Sequence, residues 1–189
     1  MRLDSLHDVL TECVRDLYNA ETQLVKALPK MAKAASSDEL KAALAEHLEQ
    51  TRNQIERLDQ VCELLGAKTK GKTCHAMKGL IEEGAEVIAL KGSPDAKDAA
   101  LIGAAQKIEH YEIAGYGTAR TFAALLGEDE VAALLQSTLD EENAADQKLT
   151  GIAESGLNQK AADEDGDEAD SEEGEDDARP AAKSKAKKR

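Results

Sequence analysis

The chain has 189 residues and a formal net charge of −14, with 41% hydrophobic but only 2% aromatic residues. This length is sufficient for one domain with a hydrophobic core. The scarcity of aromatic residues argues against a β-sandwich or β-barrel, and the abundance of Ala, Leu, Glu and Lys favours helices. The negative charge argues against general nucleic-acid binding by the folded body. We expect no membrane segment and no signal peptide, because no apolar run of sufficient length occurs.

The chain contains three widely spaced cysteines, Cys13, Cys62 and Cys74. An odd count at such spacing does not indicate a disulfide framework, so we expect a reducing, cytoplasmic environment. Cys62 lies on an apolar helical stripe, which predicts a core position. Cys74 leaves two interpretations open, a packed thiol or a redox-sensitive one.

Apolar residues recur at helical spacing in four long segments. We predict helices over 3–35, 38–65, 95–126 and about 128–153, with a bend or a helix end near Pro29. The first and second helices, and the third and fourth, are separated by very few residues, so each pair must be antiparallel. Gly66 and Gly127 are predicted helix stops.

The connection over 66–97 is much longer than the other two and contains one or two short helices over 76–90. A helix of about 28 residues is about 42 Å long, and about 12 extended residues can cover that distance. The connection can therefore return along the whole bundle. The sequence predicts an all-α, ferritin-like four-helix bundle over 1–157, made of two hairpins joined by one long crossover.

The composition changes at 158. Eleven acids lie between 160 and 178, and six basic residues lie between 179 and 189. A segment without apolar bulk cannot form a core, so we predict a disordered tail over 158–189. A solubilising role is one interpretation of this tail. Contact of its Lys-rich end with nucleic acid or another partner is the alternative.

The predicted helices place acids on faces that should be buried. A carboxylate in a core costs several kcal/mol unless it is paired, and acids on separate helices indicate a metal centre. Oxygen-rich ligands with some nitrogen suit two iron ions or manganese, which would react with dioxygen or peroxide. Tyr116, one turn beyond Glu112, is a candidate catalytic residue as a hydrogen-bond donor or radical sink. The candidate metal ligands are Glu21, His47, Gln54, Glu109, Glu112, Glu142 and Asp146.

A simpler interpretation is that each acid lies at the border of its buried face with its carboxylate in water. Acids in register on separate helices make this interpretation less favourable for the whole set. We assign Glu141 to the surface because it points away from the apolar stripe. His110 lies roughly opposite Glu112, which favours a surface or subunit-contact role.

Five segments of the chain form a recognisable set: DLYNAETQLVKALPKMAKAA, AEHLEQTRNQIERL, TCHAMKGLIEEG, AAQKIEHYEIAGYGT and TLDEENAADQKL. Together they resemble the YciE/YciF family of bacterial ferritin-like proteins, over about 6–157. The resemblance implies a ferritin- and rubrerythrin-like bundle with a di-iron-type site, assembly as a homodimer, a stress-response role and a ferroxidase activity. It matches Glu21, Glu109, Glu112, Glu142 and Asp146 to ligand positions.

The second helix departs from the ferritin-like pattern. Such sites commonly use Glu-x-x-His, and this motif occurs nowhere in the chain. His47 and Gln54 are the groups that remain on the correct face. The alternative function is therefore a non-catalytic, stress-related bundle with a degenerate metal site.

Overall fold

The computed structural model describes residues 3–69 and 71–163, and these residues form helices without a β-strand. Contacts are most extensive between α1 and α2 and between α4 and α5, and α3 packs on α1 and α4. This arrangement confirms the predicted all-α bundle of two hairpins joined by a crossover helix. The helices are α1 (Leu6–Ala34), α2 (Asp38–Leu64), α3 (His75–Ala89), α4 (Pro94–Leu126) and α5 (Asp129–Ile152).

Serine side chains set the starts of three of the long helices. Ser5 accepts a hydrogen bond from the backbone N–H of Asp8, and Ser37 and Ser93 cap α2 and α4 in the same way. These caps satisfy N–H groups that have no partner inside the helix. The Ser5 cap explains why α1 begins at Leu6 rather than at the predicted residue 3. At its other end α1 continues past Pro29 and stops at Ala34.

Among the described residues of the long crossover, one segment is helical, α3, and its first turn is capped by Cys74. The Sγ atom of Cys74 accepts a hydrogen bond from the backbone N–H of Met77 and lies 2.9 Å from the Tyr111 hydroxyl. The side chain is buried. Its position supports the interpretation of Cys74 as a packed thiol, and Cys62 is buried as predicted.

The carboxyl end of α5 continues into a π-helical turn, Ala153–Leu157. Gly156 takes the left-handed backbone conformation there, with a φ of 126°. Helical backbone then resumes over 158–163, whereas the composition predicted a disordered tail from residue 158 onward. The remaining acidic residues and the Lys-rich end of the chain lie outside the described residues.

A polar layer divides the hydrophobic core into two clusters. On α1 the first cluster includes Leu24 and the second includes Leu10, and Glu21 borders the gap between them. The same alternation occurs on α2, α4 and α5, where the segments around residues 47–54, 109–112 and 138–142 separate the two clusters. The functional candidates therefore lie in the middle of the bundle. None of the helices described here is both long enough and apolar enough to cross a membrane.

Candidate metal centre

The polar layer contains side chains from all four long helices, and all of them are buried. Glu109 and Glu112 are three residues apart on α4 and therefore project from the same face. His47 and Gln54 lie two turns apart on α2, so both face the interior, as the sequence predicted. The buried polar side chains of this layer are Glu21, His47, Thr51, Gln54, Glu109, Glu112, Thr138 and Glu142.

Four of these residues each offer one ligand atom, and the four atoms lie within 4.8 Å of one another: His47, Glu109, Glu112 and Glu142. The Nε2 atom of His47 lies 3.4 Å from Oε1 of Glu109 and 3.9 Å from Oε2 of Glu142. One imidazole and three carboxylates form a donor set that suits iron and manganese as well as zinc. The structure thus brings together acids and a histidine that are distant in sequence.

Several buried atoms of the layer have no hydrogen-bond partner among the described residues. Both carboxylate oxygens of Glu112 are in this state. Buried polar groups are normally paired, and each exception requires an explanation. A cation bound among His47, Glu109, Glu112 and Glu142 would give the unpartnered atoms of these four residues a partner, so the residues fit a metal. The remaining unpartnered atoms are Oε2 of Glu21, Nε2 of His47, Oε1 of Gln54, Oε2 of Glu109 and Oε2 of Glu142.

The carboxyl groups of the layer favour their protonated forms when no cation is present. Burial raises the pKa of Glu112 well above its usual value, and the neighbouring Glu21 raises it further. Burial also raises the pKa of Glu21 and of Glu142, and it raises the pKa of Glu109 to about 8. Bound protons and bound cations are therefore alternative ways to neutralise the same cavity.

Glu21 and Tyr116 form the side of the layer between α1 and α4. The Tyr116 hydroxyl donates a hydrogen bond to Oε1 of Glu21 at 2.5 Å, and both side chains are fully buried. Glu21 lies outside the group of four. The negative charge of Glu21 nevertheless raises the pKa of Glu112, so the two carboxyl groups interact electrostatically.

Gln54 connects the layer to a charged pair on its opposite side. Its Nε2 donates to Oε1 of Glu142 at 2.5 Å and to Oε2 of Glu141 at 3.0 Å. Arg57 forms two hydrogen bonds with the Glu141 carboxylate and one with Thr138. The Glu141 side chain is 30% exposed, which agrees with its predicted surface position, but its pairing with Arg57 was not predicted.

Sequence reasoning also missed Arg57 itself. It lies three residues after Gln54, on the same side of α2, and Glu141 directly precedes Glu142 on α5. A search for basic residues one turn from a candidate ligand would have found it.

Asp146 and His110 lie beside the layer. The side-chain amide of Gln106 donates to Oδ1 of Asp146 at 3.2 Å, and Nε2 of His110 lies 3.5 Å from the same oxygen. His110 is exposed, in agreement with its predicted surface role. Asp146 is one turn past Glu142, as the sequence indicated, but its carboxylate is not one of the four clustered ligand atoms.

Comparisons with known proteins agree with this architecture. A family model described as "Domain of unknown function (DUF892)" matches residues 5–162. Protein YciF of Escherichia coli strain K12 is 49% identical over 162 residues, which are 85% of this chain and 98% of YciF. The crystal structure of the E. coli stress protein YciF matches with a TM-score of 0.79, over 82% of this chain and 98% of that one.

Two further solved structures are similar. YcfI from Rhodopseudomonas palustris is 44% identical with a TM-score of 0.76, over 78% of this chain and 94% of that one. A protein from Xanthomonas campestris pv. campestris is 22% identical with a TM-score of 0.67, over 85% of this chain and 99% of that one. This last likeness concerns the fold alone. The matches confirm the resemblance predicted from the sequence, and the chain belongs to the DUF892 family as a homologue of E. coli YciF.

Proposed function

We propose that the chain is a ferritin-like di-metal carboxylate protein that oxidises Fe(II) with peroxide or dioxygen during a stress response. The observation that carries this proposal is the group of four buried ligand atoms from His47, Glu109, Glu112 and Glu142. The unpartnered oxygens of the same carboxylates support it. The stress role is inferred from similarity to YciF, which is described as a stress protein.

The donors suggest two unequal positions for the cations. His47, Glu109, Glu112 and Glu142 would hold one cation. Glu21 raises the pKa of Glu112 and has an Oε2 without a hydrogen-bond partner among the described residues, so it would add a carboxylate for a second cation. Asp146 adds negative charge close to Glu109, which favours cations without direct ligation. The position with the imidazole is expected to bind iron or manganese more tightly.

Two Fe(II) ions are substrates that each lose one electron. Peroxide accepts both electrons and two protons, its O–O bond breaks, and two water molecules form. The protein excludes bulk water from the reaction by burial of the layer, which strengthens electrostatic interactions there. Tyr116 holds Glu21 in place through its hydroxyl, and its oxidisable phenol lies one hydrogen bond from the carboxylate.

The second candidate is a non-catalytic, stress-related bundle with a degenerate metal site. The bond from Gln54 to Glu142 favours it, because the amide occupies an oxygen that would otherwise be a free ligand. Contact of the Lys-rich tail with nucleic acid belongs to this candidate and concerns residues outside the described part of the chain. Homodimer formation remains a prediction from the resemblance, and sedimentation equilibrium measures it.

Elemental analysis of protein grown with ample iron and manganese separates the two candidates. The di-metal candidate predicts about two ions per chain, as in other two-metal sites. Fe(II) is then added without oxygen, and ferric absorbance in the near ultraviolet is followed after addition of peroxide or dioxygen. Glu112→Gln should abolish this signal, and Glu130→Gln, on the exposed start of α5, should preserve it. Equal signals in all three proteins, or metal well below one ion per chain, would support the non-catalytic bundle.

A further inference from the structure

One surface pocket reaches the polar layer. It opens between α2 and α5, and both His47 and Glu109 line it. These two side chains are more than nine-tenths buried, yet each has a polar atom without a hydrogen-bond partner in the described structure. The pocket thus connects solvent with two of the four clustered ligand residues.

Small side chains keep this pocket open. Ala43 from α2 and both Ala144 and Ala145 from α5 form its walls. Leu44 and Leu149 also line the pocket, where it meets the leucine-rich core. A larger side chain at these alanine positions would occupy the space that leads to His47 and Glu109.

An ion pair spans the two helices at the pocket. The Nζ atom of Lys148 on α5 lies 2.6 Å from Oε2 of Glu46 on α2. Both residues line the pocket, and both side chains are about half exposed. Exposed ion pairs contribute little to stability, so this pair can open at a low free-energy cost.

Oxygen donors occur along the wall between this ion pair and the layer. Gln50 lines the pocket one turn after Glu46, and its Oε1 lies 3.4 Å from Nδ1 of His47. Carboxylate and amide oxygens are suitable ligands for divalent cations that exchange their waters. The opposite side of the layer is closed, because Glu21 and Tyr116 are fully buried between α1 and α4.

We propose that divalent cations reach the buried centre through this pocket between α2 and α5, and that the Glu46–Lys148 ion pair restricts its opening. The inference rests on the proposed metal-binding function but concerns the route of loading rather than the chemistry at the centre. Lys148 neutralises the acid at the opening and slows the approach of cations. Glu46, once released, attracts them toward Gln50 and His47.

Co(II) is a suitable probe, because its visible absorbance reports binding without any oxidation step. Ala145→Leu should fill the pocket and slow the uptake of Co(II) about tenfold, a modest rise in barrier. The amount bound at equilibrium should be unchanged, since residue 145 is not a ligand. Ala133→Leu introduces the same side chain at an exposed position on the same helix and should load at the wild-type rate.

Lys148→Gln provides a second test that does not alter packing, because the side chain is exposed at the surface. Loss of the positive charge should accelerate Co(II) uptake several-fold at low salt, and high salt should reduce the difference. If both Ala145→Leu and Lys148→Gln take up Co(II) at the wild-type rate, the proposed route is wrong, but the metal-binding function is not affected. A wild-type protein that binds no Co(II) at equilibrium would overturn the metal-binding function together with the route.

Discussion

Two buried acids on α4 have opposite surroundings. Asp98 and Glu112 are both fully buried. The Asp98 carboxylate accepts hydrogen bonds from the backbone N–H groups of Ser36 and Ser37, at distances of 2.6 to 3.1 Å. Glu112 accepts none from the residues that the structure describes.

The comparison shows that burial alone does not identify a metal ligand. Asp98 ties the turn between α1 and α2 to α4, and its charge lies at the start of α2, where the helix dipole favours an anion. The protein itself therefore stabilises Asp98. Glu112 lies among other acids and can be neutralised only by a proton or a cation. The count of hydrogen bonds, rather than the exposed area, separates the structural acid from the candidate ligand.

The largest expected effect is on metal binding by Glu112→Gln. The substitution keeps the size of the side chain but removes a ligand charge from the centre, so affinity for Co(II) should fall by more than about 100-fold. The same substitution should stabilise the metal-free protein, because it removes a buried acid without a partner. Equilibrium titration with Co(II) and urea unfolding with a chelator measure the two effects. Unchanged affinity would show that Glu112 is not a ligand.

The second prediction concerns pH. Burial raises the pKa of Glu109 to about 8 in the folded protein, compared with a pKa of 4.5 for an exposed Glu. Between these values the folded state binds more protons than the unfolded state. The free energy of unfolding of the metal-free protein should therefore fall, by a few kcal/mol, as the pH rises from about 4.5 to about 8.

Metal should change this dependence, because a cation takes the place of the protons and its binding releases them. Urea unfolding at several pH values, with chelator and with Mn(II), measures both curves. Glu109→Gln should make the metal-free curve less steep, and the remaining slope should come from Glu21, Glu112 and Glu142, whose pKa values are also raised. A wild-type metal-free curve that rises over this range would contradict the prediction.

The sequence predicted most of the fold and much of the centre. Apolar periodicity placed Glu21, Glu112 and Glu142 on buried faces, and the lengths of the connections predicted the pairing of the helices. A helical wheel gives the direction of a side chain from its own axis but not its partner on another helix. For this reason the pairing of Glu141 with Arg57 and the bond from Gln106 to Asp146 were not predictable. The extension of helical backbone over 158–163 was missed because composition alone placed the boundary.

The third prediction tests the structural acid. Asp98→Ala leaves two backbone N–H groups at the start of α2 without their partner and should destabilise the protein by about 2–3 kcal/mol. Metal affinity should be unchanged, because Asp98 lies near the amino-terminal end of α4, whereas the polar layer lies at its middle. The sign of the stability change is therefore opposite to that of Glu112→Gln. Urea unfolding of both variants in the presence of a chelator measures the two changes in stability. If both substitutions change the free energy of unfolding in the same direction, the distinction between the two acids is wrong.

The smallest expected effect is that of Tyr116→Phe. The substitution removes the hydroxyl that donates to Glu21, which should cost about 1 kcal/mol in the metal-free protein. In the metal-loaded protein the cation neutralises the same carboxylate, so the loss should be smaller. Tyr111→Phe is the matched control, because its hydroxyl contacts Asp16 and Cys74 away from the layer. Tyr111→Phe should lower the free energy of unfolding by the same amount with and without Mn(II), as measured by urea unfolding. If both variants respond equally to the metal, Glu21 is not coupled to the cation, and the second metal position loses its support.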